Sequence, residues 1–376
     1  MRILVLNIEY PPLGGGASPV CKVMSELFAE AGHEVTVITS RFGNLSDCEL
    51  INGVKIYRVN CWRQKINMSN PLEHLIYLKN AKKLLRKRFN SSSFDICHCH
   101  FLIPTGFLAY SLKKWWNLPY IVTIHGSDVP GYNPDRFQIL HRFTKVLLKI
   151  VARSSSKIVS PSFYLMNLLT HQLKSSWIDD KVMVIPYPFK LNTVKAVRKE
   201  RIIMSSGRLL KRKGFHTLIN SVSSFDLGYE VHIFGDGPMM NELKLLANGS
   251  LTKVVLHGWV DSSSHIYQEF LAKSEIFVLM SSHENSSVSI MEAMEYSCAI
   301  ISTNQTGCLE MVHDVGICLP VNDSQQLTNA LSNLIEHPDQ IKELGAKALL
   351  KLGSYYSPGV VAKVYLGIFQ SMIDDK

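Results

Sequence analysis

The feature that most constrains the fold of this chain is a repeated alternation of short apolar runs with longer amphipathic stretches. Runs such as residues 2–7, 120–124 and 202–206 have the length of strands and are largely apolar. Each is followed by a stretch with helical periodicity, as at 105–116. Strands buried on both faces and separated by helices are typical of parallel sheets covered by helices. The sequence therefore predicts an α/β fold of doubly wound, Rossmann-like parallel sheets.

The alternation is interrupted at residues 186–200, where two prolines and dense charge replace the periodic pattern. With 376 residues, the chain is long enough for two domains that each bury a core. We therefore expect a first domain at 1–188, a second at 189–355 and a final helix at 356–376.

Residues 274–302 form one predicted strand, turn, helix and strand, and this segment contains two notable carboxylates. Glu284 follows the first strand, and Glu292 is expected about two turns into the helix. Beside a helix N-terminus, carboxylates can accept hydrogen bonds from the hydroxyls of a ligand whose phosphates face the helix. The alternative is that Glu284 is a solvated loop residue and Glu292 an ordinary surface charge.

Three consecutive glycines, Gly14 to Gly16, follow the first predicted strand, and Ser18 is expected to cap the helix after them. A dinucleotide-binding fingerprint is excluded because Pro19 stands at its third glycine position and no acidic residue ends the next strand. The glycines either make a tight turn or let the backbone approach a phosphate, and the residues alone leave both open.

A second turn bounded by glycines, Gly207 to Gly214, contains four cations. Arg208 and Lys213 are the pair that we expect to hold a diphosphate, Arg through its planar fork and Lys as a point charge. The alternative is a set of loop charges without a ligand. It is disfavoured because cations at a helix N-terminus oppose the helix dipole.

Histidines lie near the ends of two other predicted strands. His98 and His100 are expected at the end of one strand, and the next strand leads into His125, followed by a turn that includes Asp128. Ligands of parallel sheets bind at such carboxyl ends. A single histidine at a strand end is, however, also typical of a purely structural role.

Taken together, these segments resemble the retaining glycosyltransferases of family 4, which have the GT-B fold. The resemblance is carried by Glu284-x7-Glu292 with Ala293 and Met294 after it, and it extends over nearly the whole chain. The chain departs from the family after Glu284, where Asn-Ser-Ser replaces the usual Gly-Phe-Gly or similar. The resemblance implies two Rossmann-like domains that face a cleft, the first binding an acceptor and the second a nucleotide-diphospho-sugar.

The resemblance also implies roles for individual residues. His125 is expected to contact the transferred sugar near its reacting carbon and Glu284 to bind a hydroxyl of that sugar, so these two are the predicted catalytic residues. Glu292 is expected to bind the ribose hydroxyls, and Arg208 with Lys213 the diphosphate. The other predicted donor-binding residues lie at strand-to-helix turns, and they are Gly15, Gly16, Gly258, Trp259, Val260, Ser287 and Val288.

Two of these expectations have alternatives of their own. Trp259 is equally compatible with anchoring the core of the second domain. Asp128 is expected to support the acceptor side only.

Metal and cofactor chemistry is not indicated. No Asp-x-Asp sequence occurs in the chain, and its eight cysteines show no zinc-type spacing. We therefore expect no metal and no cofactor, so that Arg208, Lys213 and helix N-termini stabilise the departing diphosphate. The resemblance implies attack by the acceptor on the same face, with retention of anomeric configuration.

The net charge of +9 is concentrated in the first half of the chain. Residues 1–190 carry 24 Lys and Arg against 12 Asp and Glu, whereas residues 191–376 carry 16 against 19. Two basic runs, 82–89 and 113–116, are interleaved with apolar residues or tryptophan. Such runs are compatible with solvated helix faces or with contact to an anionic membrane. No pattern of a nucleic-acid-binding module accompanies them.

The opening residues have the pattern of a strand and a proline turn rather than that of a signal peptide. Apolar runs in the chain stay below the roughly 18 residues needed to cross a bilayer. A cytoplasmic protein is predicted, located at the inner face of the cell membrane if its basic surface binds lipid.

The predicted reaction is transfer of a sugar from a UDP- or GDP-linked donor to a saccharide or a lipid-linked saccharide in bacterial polysaccharide biosynthesis. One alternative is a GT-B nucleotide-sugar 2-epimerase, which needs no acceptor. The combination of Arg208 and Lys213 with Glu284 and Glu292 disfavours it. The other is a non-catalytic protein that binds sugar nucleotides or nucleic acid.

Overall fold

Two separate sheets organise the chain in the computed structural model, which describes residues 1–66, 68–132, 138–192 and 197–374. One unit comprises Met1–Pro188 together with Pro358–Lys376, and the other comprises Phe189–Ser357. Strands and helices alternate along each unit, so both are α/β structures.

Within the described residues, the strands of the first unit are β1 (Arg2–Leu6), β2 (Glu34–Arg41), β3 (Cys48–Ile51), β4 (Val54–Asn60), β5 (Ile96–His100), β6 (Tyr120–Thr123), β7 (Lys157–Ser160) and β8 (Val182–Val184). They form one sheet in the order β3-β4-β2-β1-β5-β6-β7-β8. Only β3 is antiparallel to its neighbour in this described sheet. The central strand β1 pairs with β2 and β5, so Ile3 lies between Val35 and Ile96.

The helices of this unit are α1 (Ala17–Glu30), α2 (Pro71–Arg88), α3 (Thr105–Trp116), α4 (Gln138–Ser154), α5 (Phe163–Leu173) and, from the end of the chain, α13 (Pro358–Asp374). The start of α2 is fixed locally. The Asn70 side chain accepts a hydrogen bond from the Glu73 backbone N–H at 3.0 Å, and the Glu73 carboxylate accepts one from the Asn70 N–H at 3.1 Å. This reciprocal capping satisfies two N–H groups that the helix itself leaves unpaired.

The second unit has a six-stranded sheet, as far as the described residues go, built from β9 (Glu200–Ser206), β10 (Glu230–Phe234), β11 (Val254–Gly258), β12 (Ser274–Leu279), β13 (Ala299–Thr303) and β14 (Gly316–Leu319). All of its pairings are parallel, in the order β11-β10-β9-β12-β13-β14. Its helices are α6 (Phe215–Val222), α7 (Met240–Asn248), α8 (His265–Lys273), α9 (Val288–Glu295), α10 (Thr306–Val312), α11 (Ser324–Glu336) and α12 (Pro338–Tyr355).

The predicted fold class of two doubly wound parallel-sheet units is confirmed. Each unit has an apolar core of its own, with Leu4 and Val122 in one and Ile203 and Val278 in the other. The central strands are buried along nearly their whole length. This burial explains why their sequences are apolar throughout instead of alternating.

The hairpin of β3 and β4 was not predicted. Its strands carry polar residues and β3 is largely exposed, so neither has the apolar pattern of the other strands. The turn between them is Asn52-Gly53, and both residues have positive φ angles. Asn-Gly is the most common signal for a two-residue hairpin turn. This dipeptide could have revealed the hairpin.

Two local predictions need correction. Gly16, not Ser18, is the N-cap of α1, and Ser18 is buried in the first turn of the helix. β5 extends to His100, so His98 lies inside the strand and His100 is its last residue, and both side chains are buried.

Two predicted segments extend beyond the described residues. The sequence pattern also predicts a helix over 137–153, of which Phe137 lies outside them, as do residues 193–196 of the interrupted segment at 186–200.

The final helix α13 packs within the first unit. Phe369 is fully buried, and its ring lies 5.3 Å from that of Phe28 on α1. Tyr365 donates to or accepts from Thr123 Oγ1 of β6 at 3.0 Å. Because these contacts belong to the core of the first unit, its folding depends on residues that follow the second unit in the sequence.

We predict that Phe369→Ala destabilises the first unit by about 3–5 kcal/mol, the usual cost of removing a buried phenylalanine ring. Val360→Ala, at an exposed position of the same helix, serves as the control and should change stability by less than about 0.5 kcal/mol. Urea unfolding followed by tryptophan fluorescence reports mainly on this unit, because four of the five tryptophans precede residue 189. Equal stabilities for the two variants would contradict the assignment of α13 to this core.

Candidate functional site

The turn after β9 in the second unit is shaped by glycine. Gly214 adopts a φ of +73°, and any Cβ there would overlap the carbonyl of Met280 at the end of β12. The Ser282 N–H donates to the Arg212 carbonyl at 2.8 Å. The turn therefore lies directly against the loop that follows β12, 70 residues later in the sequence.

This packing brings two predicted ligand-binding residues into contact. The ammonium group of Lys213 forms an ion pair with the carboxylate of Glu284, and the two side chains are only 16% and 13% exposed. The Glu284 carbonyl in turn accepts a hydrogen bond from the Gly307 N–H at 2.9 Å. The reading of Glu284 as a solvated loop residue is therefore wrong.

Arg208 lies on the same turn but is exposed. None of the carboxylates in the described part of the chain forms an ion pair with it. Its guanidinium group is thus available for an anionic ligand, whereas Lys213 already has one carboxylate partner. A lysine ammonium has three donors, so Lys213 can hold Glu284 and an anion at the same time.

Glu292 lies in the second turn of α9, one turn closer to its start than predicted. Its Oε2 accepts a hydrogen bond from the Tyr267 hydroxyl at 2.8 Å, and that hydroxyl also lies 2.7 Å from Ser206 Oγ. Burial raises the pKa of Glu292. Glu292 is therefore a fixed, half-buried carboxylate, not an ordinary surface charge. Tyr267 was not identified from the sequence, because a tyrosine on a separate helix gives no local signal.

Groups at the start of α9 are already hydrogen-bonded within the protein. Ser287 is its N-cap, accepting from the Ile290 N–H at 3.4 Å, and the Ser287 N–H donates to Met311 Sδ at 3.2 Å. A Cβ on Gly307 would overlap the carbonyl of Asn285. The Asn-Ser-Ser segment is thus packed against α10, and the predicted donor contact through the Ser287 amide is occupied by a thioether. Val288 remains partly exposed.

Glycines stand at the ends of β9, β10 and β11, so backbone atoms form a rim at this edge of the sheet. The Gly235 N–H donates to the Gly258 carbonyl at 2.7 Å, and a Cβ on Gly235 would overlap the Gly207 carbonyl. Trp259 follows this rim and is 73% exposed. It does not anchor the core, and the next residue, Val260, is half-buried.

In the first unit, His125 is held through both ring nitrogens. Its Nε2 lies 2.9 Å from His100 Nδ1, and its Nδ1 lies 2.7 Å from the Tyr187 hydroxyl. The His100 and Tyr187 rings lie nearly parallel to its ring, at interplanar angles of 15° and 23°. His125 is therefore a fixed group whose nitrogens already have partners within the protein. Neither His100 nor Tyr187 was predicted as its partner.

His125, His100 and His98 form a row of neighbouring rings that extends into the core of the first unit. His98 Nε2 lies 2.8 Å from Thr123 Oγ1, and the His98 and His100 rings are 4.5 Å apart. Burial lowers the pKa of His100 to about 3 and lowers the pKa values of His98 and His125 as well. All three imidazoles are consequently neutral at physiological pH.

Asp128 shapes the turn that contains His125. Its carboxylate accepts hydrogen bonds from the backbone N–H groups of Leu102 at 2.9 Å, His125 at 3.0 Å and Gly126 at 3.1 Å. Burial raises the pKa of Asp128, while these donors favour its charged form. The side chain is thus occupied by the backbone, and the expected support of an acceptor by Asp128 is not what its contacts show.

The glycine turn before α1 also has an internal partner. The Gly15 N–H donates to Glu9 Oε2 at 3.1 Å, and Glu9 Oε1 pairs with Arg63 at 3.0 Å. Gly16 is the N-cap residue of α1. Neither Glu9 nor Arg63 was predicted. The position of Glu9, two residues before the Pro-Pro turn, could have indicated its role. No local pattern indicated Arg63.

The tryptophans of the basic runs do not project from the surface. Trp115 and Trp116 are half-buried against the core of the first unit, and the Arg86 guanidinium lies 3.8 Å from the centre of the Trp115 ring. Trp62, which precedes the first basic run in the sequence, is 69% exposed. The half-buried tryptophans offer less apolar surface at residues 113–116 than the sequence suggested, and membrane contact there stays a prediction.

Among the described residues, His, Cys, Asp and Glu side chains do not gather in groups of three or more that could hold a metal ion. Of the helices that the structure describes, none combines the length and apolar character of a membrane span.

Family models match both units. A model described as Glycosyltransferase Family 4 matches residues 14–192, and one described as Glycosyl transferases group 1 matches residues 200–337.

Relatives with similar sequences extend over most of the chain. An uncharacterized glycosyltransferase of Methanocaldococcus jannaschii is 25% identical over 92% of this chain and 91% of its own. N-acetyl-alpha-D-glucosaminyl L-malate synthase of Bacillus anthracis is 22% identical, over 99% and 98%. UDP-Gal:alpha-D-GlcNAc-diphosphoundecaprenol alpha-1,3-galactosyltransferase of Escherichia coli is 23% identical, over 88% and 87%.

Among solved structures, a sucrose-phosphate synthase of Thermosynechococcus elongatus superposes with a TM-score of 0.81, covers the whole of both chains and is 17% identical. This similarity confirms the predicted GT-B fold class.

The neutral histidines predict a loss of stability in acid. His98 and His100 have pKa values below those of an unfolded chain, about 6.5, so the unfolded state binds more protons as the pH falls below 6.5. For His100 this should cost about 2 kcal/mol of stability at pH 5 relative to pH 7. In His100→Gln the loss between pH 7 and pH 5 should be smaller by that amount.

Urea unfolding at the two pH values measures this difference. His265→Gln, at an exposed position, is the control and should lose as much stability as the wild type. An unchanged pH dependence in His100→Gln would show that His100 has the same pKa in the folded protein as in the unfolded chain.

Proposed function

Because the chain belongs to the glycosyltransferases, with a family 4 domain followed by a group 1 domain, we propose that it transfers a sugar from a UDP- or GDP-linked donor to a saccharide acceptor with retention of anomeric configuration. The observation that carries this proposal is the grouping at one sheet edge of the second unit. There Arg208 is exposed, Lys213 contacts Glu284, and Glu292 is fixed by Tyr267. Such a set provides cations for a diphosphate and carboxylates for hydroxyls.

The diphosphate is bound by Arg208 and Lys213. Arg208 can bind phosphate oxygens with two parallel hydrogen bonds, and the ion pair with Glu284 fixes the position of the Lys213 ammonium group. As the bond between the sugar and the diphosphate breaks, negative charge develops on the leaving oxygen. Fixed cations stabilise that charge without reorganisation, and no metal is needed for this step.

The two carboxylates bind the rest of the donor. Glu284 uses one oxygen for Lys213 and has the second for a hydroxyl of the transferred sugar. Glu292 accepts a hydrogen bond from the Tyr267 hydroxyl, and its remaining lone pairs accept hydrogen bonds from the ribose hydroxyls. Trp259 and the glycine rim of β10 and β11 bind the base.

His125 is a positioning group rather than a general base. Both of its ring nitrogens have partners, and burial lowers its pKa. Its turn supports the transferred sugar near the anomeric carbon. The acceptor oxygen forms the new bond on the face from which the diphosphate leaves, and the acceptor proton passes to the leaving phosphate oxygen. His125 therefore takes no proton in this scheme.

The acceptor proposed here is a lipid-linked saccharide of bacterial polysaccharide biosynthesis. The Escherichia coli relative is named for a diphosphoundecaprenol-linked acceptor, which supports a lipid carrier. The Bacillus anthracis relative is named N-acetyl-alpha-D-glucosaminyl L-malate synthase, a name that favours a small acceptor as the alternative. An acceptor carried by lipid would bring the enzyme to the membrane surface.

The surface suited to such contact is the exposed face of α2, defined by Leu72, Leu75, Lys79 and Lys83. Spaced three or four residues apart, these side chains share one side of the helix. The exposed Trp62 lies beside this face, because residues on either side of it are hydrogen-bonded to α2. Apolar side chains next to lysines suit an anionic lipid surface.

Nucleotide binding tests the donor site. We predict that one of UDP, GDP and ADP stabilises the wild type in the presence of EDTA, by about 2.7 kcal/mol at a hundred times its dissociation constant. Arg208→Ala should lose this stabilisation. Lys211→Ala, which removes another exposed cation of the same turn, is the matched control and should keep it.

A thermal-shift series on the three proteins measures these differences. Equal shifts for Arg208→Ala and the wild type would refute the diphosphate assignment. A shift that disappears in EDTA would refute metal independence.

Vesicle binding tests the exposed face of α2. Each lysine near an anionic surface contributes about 1 kcal/mol, so Lys79→Gln with Lys83→Gln should weaken binding to anionic vesicles about 30-fold at low salt. The control is Lys342→Gln with Lys347→Gln, which removes two exposed lysines from the second unit. Co-sedimentation gives the partition constants, and an equal loss in both double variants would argue against this surface.

A further inference from the structure

The end of α3 lines a cavity of about 530 Å³ in the first unit that the proposed reaction does not use. Its lining consists of residues 113–116 of α3 together with Asn117, Ser91 and Ser154, and we call it the α3 cavity. The helix begins just after the carboxyl end of β5 and has 12 residues, so its other end lies about 18 Å from that edge of the sheet. The α3 cavity is therefore separate from the edge that carries His125.

Two lysines in this region are held by the last carbonyl groups of α4. Lys113 Nζ donates to the Ser154 carbonyl at 2.7 Å, and Lys181 Nζ donates to the carbonyls of Arg153 and Ser155, both at 2.6 Å. These contacts satisfy carbonyls that the helix leaves unpaired at its end, and they bring two ammonium groups close together. An ammonium group has three donors, so Lys113 can hold its carbonyl and an anion at the same time.

Further cations surround Trp115. The Arg86 guanidinium group lies 3.8 Å from the centre of the Trp115 ring, and Lys82 Nζ lies 5.6 Å from it. Lys114, which follows Lys113 on α3, is exposed. Within the described residues, no ion pair joins any of these cations to a carboxylate. Their charge is therefore not balanced by the protein through direct contacts.

The sequence around the α3 cavity is also poor in acidic residues. Residues 79–118 contain 8 Lys and Arg against one acidic residue, Asp95, and residues 137–178 contain 6 against none. Asp95 is already paired with Arg2. Burial lowers the pKa of Lys113, and the neighbouring Lys114 lowers it further. A bound anion would relieve this repulsion between cations.

The lining of the α3 cavity suits a phosphate monoester better than a carboxylate. A phosphate monoester carries a charge of about −1.5 to −2 at pH 7 and has three acceptor oxygens, so it can meet two ammonium groups at once. The Ser91 hydroxyl and the Asn117 side-chain amide add further donors to the lining. Trp115 and Trp116 add apolar surface for the group that carries the phosphate.

We propose that the α3 cavity binds the phosphate group of a phosphate monoester, at a site formed by residues of the first unit alone. Lys113 and Lys114 contact the phosphate oxygens, and the two tryptophans contact the organic part of the ligand. A lipid headgroup and a soluble organic phosphate share this chemistry. The site is independent of the proposed function, because no residue of the proposed donor site takes part in it.

Isothermal titration of the whole chain with two probes tests this site. Glycerol 3-phosphate presents the phosphate monoester without a lipid, and dihexanoyl phosphatidic acid, used below its micelle concentration, presents it on one. Lys113→Gln with Lys114→Gln should weaken binding more than tenfold, because at least one charge-assisted hydrogen bond is lost. The matched control is Lys145→Gln with Lys149→Gln, which removes two exposed lysines of α4 in the same unit and should bind as the wild type does.

The two probes distinguish the sources of the phosphate. If glycerol 3-phosphate binds at least as tightly as phosphatidic acid, the ligand is a soluble phosphate ester, and tighter binding of phosphatidic acid indicates a lipid headgroup. Both results support the site. If the wild type binds neither probe, the proposal is wrong. An equal loss in the control variant would also overturn it, because the effect would then be one of general charge.

Arg208→Ala separates this site from the proposed donor site. It should bind both probes as the wild type does, and a loss of binding in this variant would assign the phosphate to the donor site and overturn the proposal. Absence of nucleotide binding, with the phosphate probes still bound, would contradict only the proposed function.

Lys114→Gln alone is a second variant in case the double variant does not fold, since it leaves the contact of Lys113 with Ser154 intact. It should weaken binding about tenfold, the effect of one charge-assisted hydrogen bond. Wild-type affinity in a folded Lys114→Gln variant would contradict the proposed contact.

Discussion

The contact between Lys213 and Glu284 is the interaction on which the candidate site of the second unit depends. Two half-buried charges from distant loops stabilise each other, because either one alone would remain poorly solvated and unpaired. Their contact requires the close packing of Gly214 against Met280 and of Gly307 against Asn285. The glycines thus bring a cation and a carboxylate from distant loops to the same edge of the sheet.

The candidate residues of the first unit include neutral histidines in place of the cation and carboxylate of the second. Its histidines are kept neutral by burial and are fixed by hydrogen bonds and stacking, so that His125 has a defined orientation without carrying charge. The glycine turn, in contrast, contains the buried ion pair of Glu9 and Arg63.

Much of the fold followed from local sequence patterns, because strands buried on both faces must be apolar throughout. The hairpin of β3 and β4 was missed because its strands are partly exposed and therefore need not be apolar throughout. Glu284 and Glu292 could be placed at the correct sheet edge from their spacing. Their partners Lys213 and Tyr267 lie on other loops and helices, and only the packing of the sheet reveals those contacts. Similarly, the stacking of Arg86 on Trp115 could not be seen in either basic run alone.

A crystal structure with the most tightly bound of UDP, GDP and ADP would test the account most directly. We expect phosphate oxygens within about 2.7–3.2 Å of Lys213 Nζ and the Arg208 guanidinium group, with the ribose hydroxyls on Glu292. A nucleotide bound elsewhere, with Arg208 and Lys213 free of phosphate, would contradict the assignment of the donor site to this edge of the second unit.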